Sequence, residues 1–137
     1  MPPDDFSQLT TKAGRLLAYE AIAGRGPTLV WLSGINSDMT GTKAQALAAW
    51  AKAAGQAFVR FDYSGHGRSS GAFEDGTISA WLEDALAVID AVAEGPLALV
   101  GSSMGGWLSL LAARARPDRV KGLLLIAPAA DFTSRLM

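Results

Sequence analysis

The sequence contains no cysteine and only one histidine, His66. Without cysteine there is no disulfide scaffold, no thiolate-bound zinc and no iron–sulfur cluster. A lone histidine supports a metal site only where carboxylates supply most of the ligands. The scarcity of these two residue types therefore directs attention to chemistry carried by hydroxyl and carboxyl groups.

An excess of either charge is also missing, because 12 basic and 13 acidic residues leave a net charge of -1. Nucleic-acid-binding proteins carry a clear basic excess, so we expect no nucleic-acid partner. The longest apolar run, residues 122–130, is far shorter than the roughly 20 residues that cross a bilayer, so we expect no membrane span. The proline-broken, acidic start lacks a secretory pattern, which favours a cytoplasmic location.

The chain of 137 residues, half of them hydrophobic, is long enough for one domain with a buried core. Short β-like runs alternate with amphipathic helical stretches, which is typical of an α/β fold around a mostly parallel sheet. Thr42, with Gln45 three residues later, predicts a capping box at the first helix. We predict strands at 6–10, 15–23, 28–32, 57–62, 97–101 and 120–126, and helices at 42–54, 77–93 and 103–114.

Gly101, Ser103 and Gly105 form a G-x-S-x-G pattern between a predicted strand and a predicted helix. That context is typical of a nucleophile elbow, in which a sharp turn lifts the serine hydroxyl above the sheet. Side chains at the two glycine positions would crowd such a turn. Ser103 is thus the predicted nucleophile, and the alternative is an N-capping serine in a glycine-rich turn.

A nucleophilic serine needs a base and also donors that stabilise the developing oxyanion. The N–H of Met104, directly after the serine, is the first predicted donor. The second donor in such sites comes from the loop after an earlier strand. Because Ile35 follows the predicted strand at 28–32, its N–H is the second predicted donor.

Asp62, Gly65, Gly67 and Ser69 form the pattern D-x-x-G-x-G-x-S, which together with the G-x-S-x-G pattern resembles the α/β-hydrolase superfamily. Gly34 with residues 39–44, and residues 101–107, resemble a narrower group of acyl-glucuronide esterases and palmitoyl-protein thioesterases with bacterial relatives. This resemblance implies hydrolysis of a small-molecule carboxylic ester or acyl thioester by a serine, acid and histidine triad. It also implies that neither a metal nor an organic cofactor takes part.

The chain departs from this family after Ser103, where the acid and then the histidine should follow. No histidine follows Ser103, and His66 matches a structural loop position, with a relocated base as the alternative. Asp118 is expected in a turn, and Asp131 at the entry to a lid, with the triad acid as the alternative for Asp131. We therefore interpret residues 1–137 as the N-terminal part of a single α/β-hydrolase domain, without the cap, the last two strands, the acid and the histidine.

Two consequences follow if the triad is incomplete. The chain alone should be nearly inactive, while the complete protein should be a serine hydrolase of carboxylesterase or thioesterase type. The last predicted strand, 120–126, should leave an open edge through which the chain can self-associate. The alternative function is that of a non-catalytic binding or scaffold protein on the same fold.

Two other classes of chemistry fit the sequence poorly. Gly101 and Gly106 have the spacing of a phosphate-binding loop, but Trp107 and Leu108 replace the lysine and hydroxyl residue that such a loop requires. A carboxylate-pair mechanism would have to use adjacent residues such as Glu83 and Asp84, which do not face each other on a helix. We expect both of these carboxylates to be solvated.

Overall fold

The computed structural model describes residues 6–35 and 37–126, which form a sheet with helices on both faces. The strands are β1 (Ser7–Thr10), β2 (Leu16–Ile22), β3 (Arg25–Leu32), β4 (Gln56–Phe61), β5 (Leu97–Ser102) and β6 (Val120–Ile126). The helices are α1 (Thr42–Ala54), α2 (Ile78–Ala91) and α3 (Met104–Ala115), and a short 3-10 turn spans Phe73–Asp75. The predicted α/β class is confirmed.

The strand order is β1-β2-β4-β3-β5-β6. Strands β4, β3, β5 and β6 run parallel, whereas β1 and β2 pair antiparallel at one side of the sheet. The segments after β3, β4 and β5 therefore all leave the sheet at the same edge. In open α/β sheets this carboxyl edge is where ligands bind, so the topology alone directs attention to it.

The apolar core lies on both faces of the sheet. The larger cluster packs α2 and α3 against the strands and includes Trp81, Ala85 and Ile89, which recur at helical spacing and give α2 one buried face. The smaller cluster packs α1 through Ala44, Ala48 and other small side chains. None of the described helices is long and apolar enough to cross a membrane.

The first helix begins differently from the prediction. Gly41 is the N-cap, with φ -63° and ψ 162°, and no side chain caps the helix. Thr42 is already helical, so its hydroxyl cannot act as the cap, and the predicted capping box is wrong. The Gln45 N–H instead donates to the Gly41 carbonyl, 2.9 Å away. The predicted end is confirmed, because Gly55 adopts a left-handed conformation with φ 68°.

Asp84 is completely buried on α2, so the expectation that it is solvated is wrong. One carboxylate oxygen accepts from Arg15 Nε at 2.8 Å. The other accepts from the Ser64 N–H at 2.9 Å and the Ser64 hydroxyl at 2.7 Å. These donors come from the residue that precedes β2 and from the loop after β4, so contacts distant in sequence satisfy the carboxylate. Glu83 also contacts Arg15, but its side chain is 67% exposed, as expected.

Strand β6 pairs with β5, and no other described strand pairs with it. Leu123 and Leu124 are 42% and 58% exposed on this strand. Open strand edges with exposed apolar side chains favour association, so self-association through β6 stays a prediction. Sedimentation velocity tests it, since a monomeric boundary at every protein concentration would contradict it.

Replacing Asp84 by Ala should lower the free energy of unfolding by about 2 to 4 kcal/mol, because it leaves the buried Ser64 donors unpaired. Glu83→Ala is the matched control and should cost less than about 1 kcal/mol, since its ion pair is exposed. Urea denaturation of the three proteins measures both effects. Equal losses for the two variants would contradict this account of the Asp84 contacts.

Candidate functional site

Ser103 occupies a strained turn at the carboxyl edge of the sheet. Strand β5 ends at Ser102, α3 begins at Met104, and Ser103 between them has φ 56° and ψ -120°. It is the one non-glycine residue with a positive φ in the described part of the chain. A non-glycine residue in such a region costs about 1 to 3 kcal/mol and persists only where its surroundings impose it.

The two glycines of the pattern allow backbones to approach closely around this turn. A Cβ atom at Gly101 would lie 2.3 Å from the Gly105 carbonyl oxygen, and one at Gly105 would lie 1.9 Å from the Leu32 carbonyl oxygen. Helix α3 thus starts in backbone contact with both β5 and the end of β3. The strand, turn and helix predicted around Ser103 are present, and the steric reason given for the glycines holds.

The loop after β3 packs directly on this turn. A Cβ atom at Gly34 would lie 3.4 Å from the Ser103 Cβ atom. The Ser37 N–H donates to the Gly34 carbonyl at 3.2 Å, which closes a turn that begins beside Ser103. The predicted second donor is therefore carried by a loop that contacts the serine.

Ser103 and Ile35 line the same cavity, which has a volume of about 310 Å³. The other walls come from the ends of β3 and β5, from further residues of the loop after β3 such as Ser37 and Asp38, and from the first residues of α1. Met104 follows Ser103 directly and is fully buried. As the first residue of α3, its N–H has no partner four residues earlier in the helix and lies at the positive end of the helix dipole.

His66 lies in an aromatic cluster and not among the residues that line this cavity. Its ring centroid is 5.5 Å from that of Tyr63, 5.4 Å from that of Phe73 and 5.2 Å from that of Trp81. Its Nδ1 lies 3.1 Å from the Ser64 carbonyl oxygen, and the residue is 4% exposed. These contacts favour the structural loop role over that of a relocated base.

Of the two candidate acids, the structure describes Asp118 alone and does not bring it to the cavity. Asp118 is exposed in the turn that precedes β6. Because β5 and β6 are parallel, this turn lies at the opposite edge of the sheet from Ser103. Asp131 lies outside the described residues. Those residues contain no group of three or more His, Cys, Asp or Glu side chains that could hold a metal ion.

Sequence reasoning missed a set of buried polar side chains that hold the loop after β3. The Tyr63 hydroxyl donates to the Ser33 carbonyl at 2.9 Å. Met39 donates its N–H to Asp62 at 2.8 Å and accepts from Arg60 at 2.7 Å. Burial raises the pKa of Asp62, although the N–H groups of Arg68 and Met39 oppose that rise. The D-x-x-G-x-G-x-S pattern marked Asp62, but nothing local to it indicated these contacts.

Residues 27–136 match the hydrolase family described as serine aminopeptidase, S33. The chain is 50% identical over 115 residues to mouse (Mus musculus) palmitoyl-protein thioesterase ABHD10, mitochondrial, covering 84% of this chain and 39% of that protein. The solved structure of mouse α/β hydrolase domain-containing protein 10 superposes with a TM-score of 0.90 at 44% identity, covering 95% of this chain and 53% of that one.

A putative hydrolase from Agrobacterium vitis S4 superposes with a TM-score of 0.89 at 46% identity, covering 98% of this chain and 56% of that structure. The chain spans about two fifths (39%) of the length of the mouse palmitoyl-protein thioesterase. The resemblance to part of an α/β-hydrolase fold is confirmed.

The strain at Ser103 predicts an unusual order of stability among its variants. The Ser103→Gly variant should be more stable than Ser103→Ala by about 1 kcal/mol in free energy of unfolding, because glycine adopts the positive φ without strain. This gain outweighs the larger entropy that glycine gives to the unfolded state. Both variants lack the hydroxyl, so their difference isolates the backbone effect. Urea denaturation measures it, and an alanine variant as stable as the glycine variant would show that the turn is unstrained.

Proposed function

The chain belongs to the hydrolase family described as serine aminopeptidase, S33, and from this premise we propose that the complete protein hydrolyses carboxylic esters or thioesters through an acyl-enzyme on Ser103. The observation that carries the proposal is the strained Ser103, which lines the same cavity as Ile35. Backbone strain that the surroundings impose is common at catalytic nucleophiles.

In the acylation step, the Ser103 oxygen attacks the acyl carbonyl carbon and loses its proton to a base. The new C–O bond forms a tetrahedral intermediate, and its collapse breaks the bond to the leaving oxygen or sulfur, which takes up the proton. Water then attacks the acyl-enzyme by the same route and releases the carboxylic acid. The chemistry needs no change of oxidation state.

The N–H groups of Met104 and Ile35 are the proposed donors to the intermediate's oxyanion. Met104 contributes the first amide of α3, where the helix dipole adds to the hydrogen bond. Ile35 contributes an amide from the loop that packs on Ser103, beside a turn that the Ser37 N–H closes on the Gly34 carbonyl. Loss of one such donor in comparable sites lowers kcat by about 10² to 10³.

The base and the acid are proposed to come from residues outside this chain. His66 is the only histidine of the sequence, and its ring is enclosed by aromatic side chains. The curated relative is more than twice as long as its matched part, which leaves room for both groups. Its name as a palmitoyl-protein thioesterase favours a thioester substrate over an oxygen ester.

The partner proposed for the complete protein is a small-molecule ester or acyl thioester, whereas the relative's name gives that protein a palmitoyl-protein substrate. The cytoplasmic location stays a prediction beside the mitochondrial location that the relative's name gives that protein.

A fluorophosphonate probe tests the proposal on the complete protein that carries this chain. We expect one covalent adduct, mapped to Ser103 by peptide mass spectrometry. Ser103→Ala should abolish the adduct and lower ester hydrolysis by about 10⁴-fold or more. The matched control is Ser79→Ala, at an exposed position of α2 outside the cavity, which should keep both the adduct and the rate.

An intact, folded protein without an adduct at Ser103 would contradict the proposal and favour the non-catalytic alternative. Residues 1–137 alone should show only the weak hydrolysis that oxyanion donors support without a base. Rapid hydrolysis by residues 1–137, lost in Ser103→Ala, would contradict an external base and restore His66 as a candidate.

A further inference from the structure

The loop after β3 is fixed at both ends by side chains from β4 and from the segment that follows it. At the near end, the Tyr63 hydroxyl donates to the Ser33 carbonyl at 2.9 Å. At the far end, Asp62 accepts from the Met39 N–H at 2.8 Å, and Arg60 donates to the Met39 carbonyl at 2.7 Å. The amide proposed as the second oxyanion donor lies between these attachment points.

All five residues that form these contacts are buried, so water cannot replace a lost partner. Their exposed fractions are 1% for Tyr63, 2% for Asp62, 5% for Arg60, 2% for Ser33 and 0% for Met39. A buried donor or acceptor that loses its partner keeps its full desolvation penalty. Because breaking any of these hydrogen bonds is therefore costly, they hold the loop in one arrangement. Burial also raises the pKa of Tyr63 well above its ordinary value, so its phenol remains an O–H donor.

The hydrogen bond from the Tyr63 hydroxyl to the Ser33 carbonyl lies one peptide away from the Ile35 N–H, the proposed oxyanion donor. Tyr63 holds the carbonyl of the peptide that joins Ser33 to Gly34, and the next peptide carries the Ile35 N–H. Gly34 itself packs on the nucleophile, since a Cβ atom there would lie 3.4 Å from the Ser103 Cβ atom. Rotation of the Ser33 peptide would therefore change where the Ile35 N–H points relative to Ser103.

We infer, on the basis of the proposed function, that Tyr63 is a positioning residue for ester or thioester hydrolysis. Its hydroxyl fixes the Ser33 carbonyl, and this orients the Ile35 N–H toward the oxyanion that develops during attack. The two contacts to Met39 fix the other end of the same loop. Because the oxyanion donor acts mainly in the transition state, loss of the Tyr63 hydroxyl lowers kcat and leaves KM nearly unchanged.

The test compares Tyr63→Phe with wild type in the complete protein, using p-nitrophenyl butyrate as substrate. We expect kcat to fall by about 10- to 100-fold, as for a donor displaced and not deleted, with KM within about twofold. Tyr19→Phe is the matched control, because it removes the same hydroxyl from the chain's other tyrosine, on β2. Strand β4 separates β2 from β3, so this variant should keep the wild-type kcat.

A second control separates positioning from a general loss of stability. Ile89→Val removes one methyl group from the fully buried face of α2 and lowers stability without touching the loop. It should lower the urea midpoint and keep the wild-type kcat.

Should Tyr63→Phe fail to fold, Arg60→Lys is tested in its place. Lysine keeps the positive charge beside Glu20 but lacks the forked guanidinium group that also reaches the Met39 carbonyl. This variant should also lower kcat at constant KM.

Each outcome decides the inference. A Tyr63→Phe protein with the wild-type kcat, in which Ser103 still forms its phosphonate adduct, overturns the inference and leaves the proposed function intact. A kcat loss of the same size in Ile89→Val also overturns it, because the effect would then follow stability. A folded wild-type protein with no adduct at Ser103 overturns the inference together with the proposed function.

Discussion

The close approach of three backbones at the start of α3 is the constraint on which the site depends. Gly105 lies so near the Leu32 carbonyl that any side chain would collide with it, and Gly101 is equally confined by the Gly105 carbonyl. This packing forces Ser103 into a conformation that serine rarely adopts. The same packing joins the end of β3 to the turn after β5. The loop that follows β3 and the serine are consequently brought together by the sheet and not by flexible segments.

Much of the fold could be predicted because its signals are local. The apolar run of β5, the helical spacing of Trp81, Ala85 and Ile89, and the glycines around Ser103 each lie within a few consecutive residues. The turn at Ser103 joins a strand, a serine and a helix that are contiguous in sequence, so this part of the site could be predicted as well.

Features that depend on contacts between distant residues could not be predicted. Asp84 was expected in solvent because its neighbours on α2 do not show that Arg15, 69 positions away, and Ser64 supply donors. The hydrogen bonds to Met39 and Ser33 come from side chains more than 20 positions away. The base that the proposed mechanism assigns to Ser103 would be a distant contact of the same kind, which no local pattern shows.

Buried polar side chains at the carboxyl edge complement the apolar core below them. Within residues 6–35 and 37–126, no buried side-chain nitrogen or oxygen lacks a hydrogen bond. Such fully satisfied polar contacts add specificity, because each accepts only one arrangement of the loops that it joins.

The most direct test of the central claim is a crystal structure of the complete protein inhibited by a phosphonate ester. We expect a bond from Ser103 Oγ to phosphorus, with the phosphoryl oxygen within hydrogen-bond distance of the Met104 and Ile35 nitrogens. Phosphorus on another residue, or an oxygen turned away from both amides, would contradict the account.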